Sequence, residues 1–225
     1  MGGEITTLLE SIPLFALMAP RALARIARGA ERIDAARGAT LFAPGDPGDG
    51  LHALVSGRVK LALPGPGGGE KVIALIGPGA IFGESAMFAD EPHLVSAVTL
   101  VASTLVHVSK ATVAACMRRD PDFAARVATV LSRESRDLLR ELASSALCSG
   151  TERIISFILG ELPAAASGRV ALTLPAKKRV IASHLDLTHE HFSRILHELA
   201  RAELIVVQGP KVTIPDVRRL RAYHP

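Results

Sequence analysis

The stretch Lys177–Arg201, KKRVIASHLDLTHEHFSRILHELAR, reads as two short helices joined by a tight turn. In the second, Phe192, Ile195, Leu196 and Leu199 fall at i, i+3, i+4 and i+7, one apolar stripe for a core. Glu190, Ser193, Arg194, His197 and Arg201 project from the rest of that helix. Thr188 stands where an N-cap belongs, its hydroxyl able to accept from a free backbone N–H of the first turn. A helix anchored on one face, with Glu, Ser and Arg near its N-terminus, suits insertion into a DNA major groove. Arginine can fork onto guanine O6 and N7, glutamate can accept from cytosine N4, and serine can serve either partner. Thr188, His189, Glu190, Ser193, Arg194, His197 and Lys178 are therefore the expected contacts to double-stranded DNA.

A plainer reading exists. Amphipathic helix pairs are a geometry before they are a function, and Glu190 with Arg194 at i, i+4 could be a solvated ion pair. The next segment favours DNA. Leu204–Val207 and Lys211–Ile214 are short β-prone runs around Gln208-Gly209-Pro210, a turn sequence, and predict a hairpin wing behind the recognition helix.

Charge placement agrees. The formal net charge is +4. Residues 1–150 hold 15 Lys+Arg against 15 Asp+Glu, whereas 151–225 hold 11 against 7, so the whole excess falls on the helix pair's segment. Cations that neutralise phosphates release counterions and supply much of any affinity for DNA.

Hydrophobic content of 48% with 21% charged residues fits a folded globular chain of one or two domains. No run approaches ~18 uninterrupted apolar residues, which predicts no membrane span. The opening MGGEITTLLES has no basic region ahead of an apolar core, so no secretory signal is read, and the expected location is cytoplasmic. Cys116 and Cys148 form no C-x-x-C pair, and no disulfide is expected between them. No nucleophile–base set or metal constellation points to an enzyme.

Upstream, Ile5–Arg32 reads as helix, with Leu8, Leu9, Ile12, Phe15, Leu23 and Ile26 as apolar contacts and breaks at Pro13 and Pro20. From Ala39 to His107, short β-prone runs (TLFA, LHALVSG, VKLAL, KVIALI, LVSAVTL, TLVHV) alternate with glycine turns and predict a barrel-like roll. Gly65-Pro66-Gly67-Gly68-Gly69 reads as a loop, because no strand–loop–helix order makes it a phosphate grip. Asp120–Leu147 predicts a helix of about 25 residues, roughly 37 Å long. Val127, Val130, Leu131, Leu138 and Leu142 recur on it at helical steps and are read as a parallel dimer contact, with packing against its own domain as the alternative. A dimer would set two recognition helices about one DNA turn, ~34 Å, apart on a palindrome. The expected class is α+β: a β-roll effector domain over 1–118, a long dimerisation helix over 119–148 and a winged helix-turn-helix over 149–225.

This order resembles the Crp/Fnr superfamily of bacterial transcription regulators. FAPGDPGDGLHALVSGRVKL (42–61) looks like the family's first roll segment, GPGAIFGESAMFADEPHLVSAV (77–98) like its effector-pocket segment, and EHFSR (190–194) is similar to its E-x-x-S-R recognition motif. The last resembles the Fnr-like branch, whose half-site is of the TTGAT type. Asp186 departs from the glycine usual in the helix-turn-helix turn. The resemblance implies a cyclic-nucleotide-binding-like fold, a homodimer and RNA polymerase as a partner. It implies an effector pocket at Gly83, Glu84, Ser85, Val95, Ser96 and Ala97, with Leu138 and Leu139 approaching from the long helix.

Two departures argue against cyclic AMP. The family's cyclic-nucleotide binders carry Arg before the pocket Ser-Ala, where this chain has His93-Leu94-Val95-Ser96-Ala97. Burying a phosphate without a cation is costly. Leu138-Leu139 also stand where a Thr-Ser pair would reach the adenine. An iron–sulfur cluster is not expected, since two cysteines cannot supply four thiolates. The closest look is to the dissimilatory nitrate respiration regulator group, which implies a haem-mediated response to nitric oxide. His93, near the pocket turn, is the first candidate haem ligand, beside His52, His107, Cys116 and Met117. An unidentified small or apolar effector is the other expectation.

Overall fold

A computed structural model describes residues 2–65, 69–163 and 165–223. The chain divides into two compact units, Met1–Ser135 and Arg136–Pro225. The division falls inside one long helix.

The first unit opens with three short helices, α1 (Gly2–Glu10), α2 (Pro13–Ala16) and α3 (Pro20–Arg28). Proline opens α2 and α3 because its fixed φ suits the first helical position and its missing N–H is not needed there. Strands β1 (Ala30–Ala35), β2 (Thr40–Phe42), β3 (Gly50–Ser56), β4 (Val59–Pro64), β5 (Glu70–Ile76) and β6 (Ile81–Phe82) follow. Then come α4 (Glu84–Ala89), β7 (Ser96–Thr99), β8 (Ser103–Ser109) and α5 (Lys110–Arg119). Two four-stranded antiparallel sheets result, ordered β1-β8-β3-β6 and β2-β7-β4-β5. The glycine loop read at 65–69 lies partly outside the described residues, which resume as β5 pairs with β4 from Glu70 opposite Pro64.

Alternation along β3 and β8 builds two cores at once, because successive side chains point to opposite faces. Leu51 and Ala53 with Val106 and Val108 face outward and are buried under α1–α3 and α5. Leu54 and Leu105 face inward and pack with Phe42, Val59, Phe82 and Ala97 between the sheets.

The helix α6 (Pro121–Leu147) is 27 residues long. Its first turns belong to the roll. Phe123 and Val127 are sealed in the outer core, with Phe123 stacked on Phe15 at 5.9 Å and Val130 and Leu131 packed against the same cluster. This corrects the reading of Val127 as a dimer contact: at 1% exposure it has no surface left for a partner. Leu138 and Leu142, in contrast, are 61% and 68% exposed.

The second unit continues with α7 (Gly150–Gly160), β9 (Val170–Thr173), α8 (Lys178–His184), α9 (His189–Arg201), β10 (Val206–Gln208), β11 (Lys211–Ile214) and α10 (Val217–Arg221). A capping box starts α7: Ser149 Oγ accepts from Glu152 N at 3.2 Å, and Glu152 accepts from Ser149 N at 2.7 Å. The wing is a three-stranded antiparallel sheet ordered β10-β11-β9. The hairpin turns at Gly209, whose φ of 60° suits a residue without Cβ.

Two expectations are corrected here. The N-terminal helix does not reach Arg32, because β1 begins at Ala30 and pairs with β8. Strand structure therefore starts nine residues before Ala39. The segment read as the strand LVSAVTL narrows to Ser96–Thr99, leaving Leu94 exposed.

Candidate functional site

The helix pair forms as its sequence predicts. Leu185 N–H closes α8 onto Ile181 O at 3.0 Å, and Leu187 N–H returns to Ala182 O at 2.9 Å. Between them Asp186 takes φ 56°, the left-handed conformation that a tight turn needs and that glycine usually supplies. Thr188 caps α9 by accepting from His191 N at 3.1 Å. Phe192, Ile195, Leu196 and Leu199 are buried, so the apolar stripe is spent entirely on the core. Gly150 brings α7 against this core: a Cβ there would stand 3.0 Å from Ile195 Cδ1 and Leu187 Cδ2.

The opposite face carries the expected readers. Thr188, His189, Glu190, Arg194 and His197 are exposed, and Ser193 is half-buried, as is Lys178 on α8. Glu190, Ser193, Arg194 and His197 share one helical face by their spacing. The Arg194 side chain is 67% exposed, and its Nε lies 3.9 Å from Glu198 Oε1, a contact too loose to hold it. Glu190 is held below the usual carboxylate range by its own backbone N–H, then by the Thr188 hydroxyl, with His189 and Arg179 adding attraction. It is thus ionised and an acceptor only. Arg179, exposed in the first turn of α8, was not among the expected contacts. The KKR run at 177–179 is the signal for it.

In the roll, Gly83 ends β6 at φ 85° and caps α4. A Cβ there would meet Phe42 Cε1 at 3.4 Å and both His52 Nδ1 and His93 Cε1 at 3.5 Å. Glu84 is buried, and its carboxyl is raised by burial against hydrogen bonds from its own N–H, Ser85 N–H and the Glu134 side chain. Its Oε2 has no hydrogen-bond partner. Ser96 Oγ donates to Ala62 O at 3.2 Å, Ala97 is buried, and Val95 packs on the inner core. Ser85 is exposed on α4. Leu138 and Leu139 belong to the second unit and are exposed.

Beside Gly83 the inner face of the roll holds a stack that spacing in the sequence did not reveal. His93 lies flat on Phe42 at 3.7 Å and 9°, and His52 stacks on Phe82 at 5.2 Å. Cross-strand pairing puts His52 opposite His107, their rings 4.8 Å apart. His52 is pushed down to about 3 by burial first, then by His107 and His93, with Asp49 opposing. His93 is also lowered, chiefly by burial.

These rings bear on the expected cofactors. His93 is 5% exposed with one face covered by Phe42, so a porphyrin could reach it only by dismantling the stack. His107 is engaged between Glu31 at 3.6 Å and Asp49 at 3.4 Å. Cys116 lies in the outer core, away from these rings. The residues as packed do not fit haem. Nor does the segment 83–97 contain a Lys or Arg for a cyclic phosphate, while it does bury a carboxyl. Among the described residues no cluster of three or more His, Cys, Asp or Glu could hold a metal ion, and no helix is long and apolar enough to cross a membrane.

Comparison with known proteins agrees with this architecture. Residues 32–120 match the family described as the cyclic nucleotide-binding domain, and 152–223 match the Crp-like helix-turn-helix domain. The chain is 26% identical over 216 residues to the CRP-like cAMP-activated global transcriptional regulator of Mycobacterium tuberculosis, covering 95% of this chain and 96% of that one. It is 29% identical over 202 residues to the cyclic AMP receptor protein of Thermus thermophilus, covering 90% and 91%. Its fold is that of FixK2 from Bradyrhizobium japonicum, with a TM-score of 0.76 at 20% identity over 87% of this chain and 99% of that one. A cyclic-nucleotide-type β-roll, a long helix and a Crp-like winged reader, in that order along one chain, place it in the Crp/Fnr family of transcription regulators.

Proposed function

We propose that this chain works as a homodimer that reads a TTGAT-type palindrome through Glu190, Ser193 and Arg194, contacts RNA polymerase, and answers to a small effector in the β-roll. The carrying observation is the recognition helix itself: its apolar face is fully buried while Arg194 stands free beside an ionised Glu190. Exposed Leu138 and Leu142 on α6 supply the surface a parallel partner would cover. The effector fits best as a neutral or cationic molecule that donates to the unpartnered Glu84 Oε2 and lays an apolar body against the inner core. Its binding shifts a population of dimers between arrangements that do and do not match successive major grooves.

Fluorescence anisotropy on labelled duplexes across a salt series tests this. The palindrome should bind about a thousandfold tighter than a scrambled duplex, with affinity falling steeply with salt. Equal affinity for both would reject sequence reading. One observation favours a second effector: both curated relatives above are named for cyclic AMP. Calorimetry with cyclic AMP separates the two, because saturable binding would show that the roll accepts a phosphate without the missing arginine.

A further inference from the structure

A cavity lies outside the roll interior. It occupies about 300 Å³ between α3 and α5. Ala111 and Ala115 stand one turn apart on α5 and leave a small apolar wall over the buried Ile26. Thr112 fixes the spacing of the helices: it packs so closely on Gly29 that a Cβ there would stand 1.9 Å from its Oγ1. Arg25, Arg28 and Arg119 line the same cavity, all exposed, and none makes an ion pair among the described residues. The nearby Asp120 is already occupied, accepting from Phe123 N at 2.9 Å and lying 4.0 Å from Arg126.

Arginines in the last turns of α3 and α5 also offset the helix dipoles. Each dipole presents only about half a charge at its C-terminus, so three full charges leave a clear excess. Nor does that role call for a cavity between them. Guanidinium forks match phosphate oxygens in pairs, and a phosphate dianion offers acceptors in several directions at once. The volume is at the small end for ligand sites, which suits a metabolite rather than a nucleotide.

We propose that this cavity binds a small organic phosphomonoester, its phosphate held by Arg25, Arg28 and Arg119 and its carbon body laid on Ala111 and Ala115. The site is distinct from the Gly83–Glu84 region and does not depend on how the chain reads DNA.

Calorimetry of the full chain with glycerol 3-phosphate at low ionic strength tests it, with glycerol and succinate as comparison solutes. The expected result is saturable binding of one phosphomonoester per chain, weaker binding of succinate and none of glycerol. An Arg28→Ala/Arg119→Ala double variant should bind about tenfold more weakly or worse. Arg118→Ala, outside the cavity, should bind as the parent does. Ala111→Leu, at an exposed position, should fill the cavity and block binding without changing charge, and melting curves confirm that each variant folds. No saturable heat with the parent would overturn the proposal, as would full binding by Ala111→Leu. An acidic peptide that binds through the same arginines, while glycerol 3-phosphate does not, would reassign the patch to a protein partner.

Discussion

Ser145 on the long helix donates its hydroxyl to Asp186 Oδ2 at 2.7 Å, and Asp186 is the residue whose left-handed backbone makes the turn between α8 and α9. The non-glycine residue in that turn therefore ties the end of the long helix to the reader. A left-handed non-glycine residue costs roughly 1–2 kcal/mol and one hydrogen bond returns about 1 kcal/mol, so the two nearly cancel. Asp186→Gly should change stability by less than about 1 kcal/mol, whereas Asp186→Ala keeps the strain, loses the bond, and should cost more. Chemical denaturation of the two variants checks the order. An alanine variant as stable as the glycine one would mean that the turn carries no strain.

Thr188→Ala removes the cap on the first turn of α9 and one partner of the Glu190 carboxylate. The expected loss is about 1 kcal/mol of stability. Palindrome affinity should fall as well, because Glu190, one of the proposed reading residues, sits in that turn. Serine at 188 should restore both, as denaturation and anisotropy would report.

His52 makes the roll acid-sensitive. Its folded value, about 3, is below the ordinary 6.5, so the unfolded chain binds its proton first as pH falls. This contribution to stability is complete above pH 6.5 and is lost on the way down to about 3, at a slope near 1.4 kcal/mol per pH unit. His52→Phe, which keeps the ring stack, should flatten the difference between melting at pH 7 and pH 5. Glu84 acts in the opposite direction. Its raised carboxyl favours the folded state below the ordinary 4.5 and costs stability as pH rises, so Glu84→Gln should melt higher at pH 7. Parallel melting curves for parent and variant across pH 4–8 would contradict either assignment.

The long helix should separate into two kinds of position. Phe123→Ala empties the outer core and should cost about 3–5 kcal/mol in any assembly state. Leu142→Ala at an exposed site should leave the unit's fold intact and weaken self-association. Sedimentation and denaturation of both variants test this, and a monomeric parent would refute the dimer helix altogether.

The reader was legible because its signals are local: a cap at Thr188, a stripe at helical spacing and a turn at Gly209. The strands with an apolar face were legible for the same reason. The strand β1 was not, since Glu31, Arg32 and Asp34 mask the short apolar face that Ile33 and Ala35 turn to the inner core. The two-residue β6 is too short to carry a period. Along α6 one stripe serves two purposes, and only packing shows that Val127 belongs to the roll while Leu142 stays exposed. The histidine stack was hidden because His52, His93 and His107 come together through strand register rather than spacing.

The most direct test of the central claim is anisotropy of the parent and Arg194→Ala on the TTGAT palindrome and on a duplex with the half-site guanines replaced. Arginine reading guanine predicts that the substitution costs the palindrome roughly 1–3 kcal/mol per half-site and nearly abolishes the preference between the duplexes. If Arg194→Ala still prefers the palindrome by the parent's margin, the recognition helix does not read DNA through this residue.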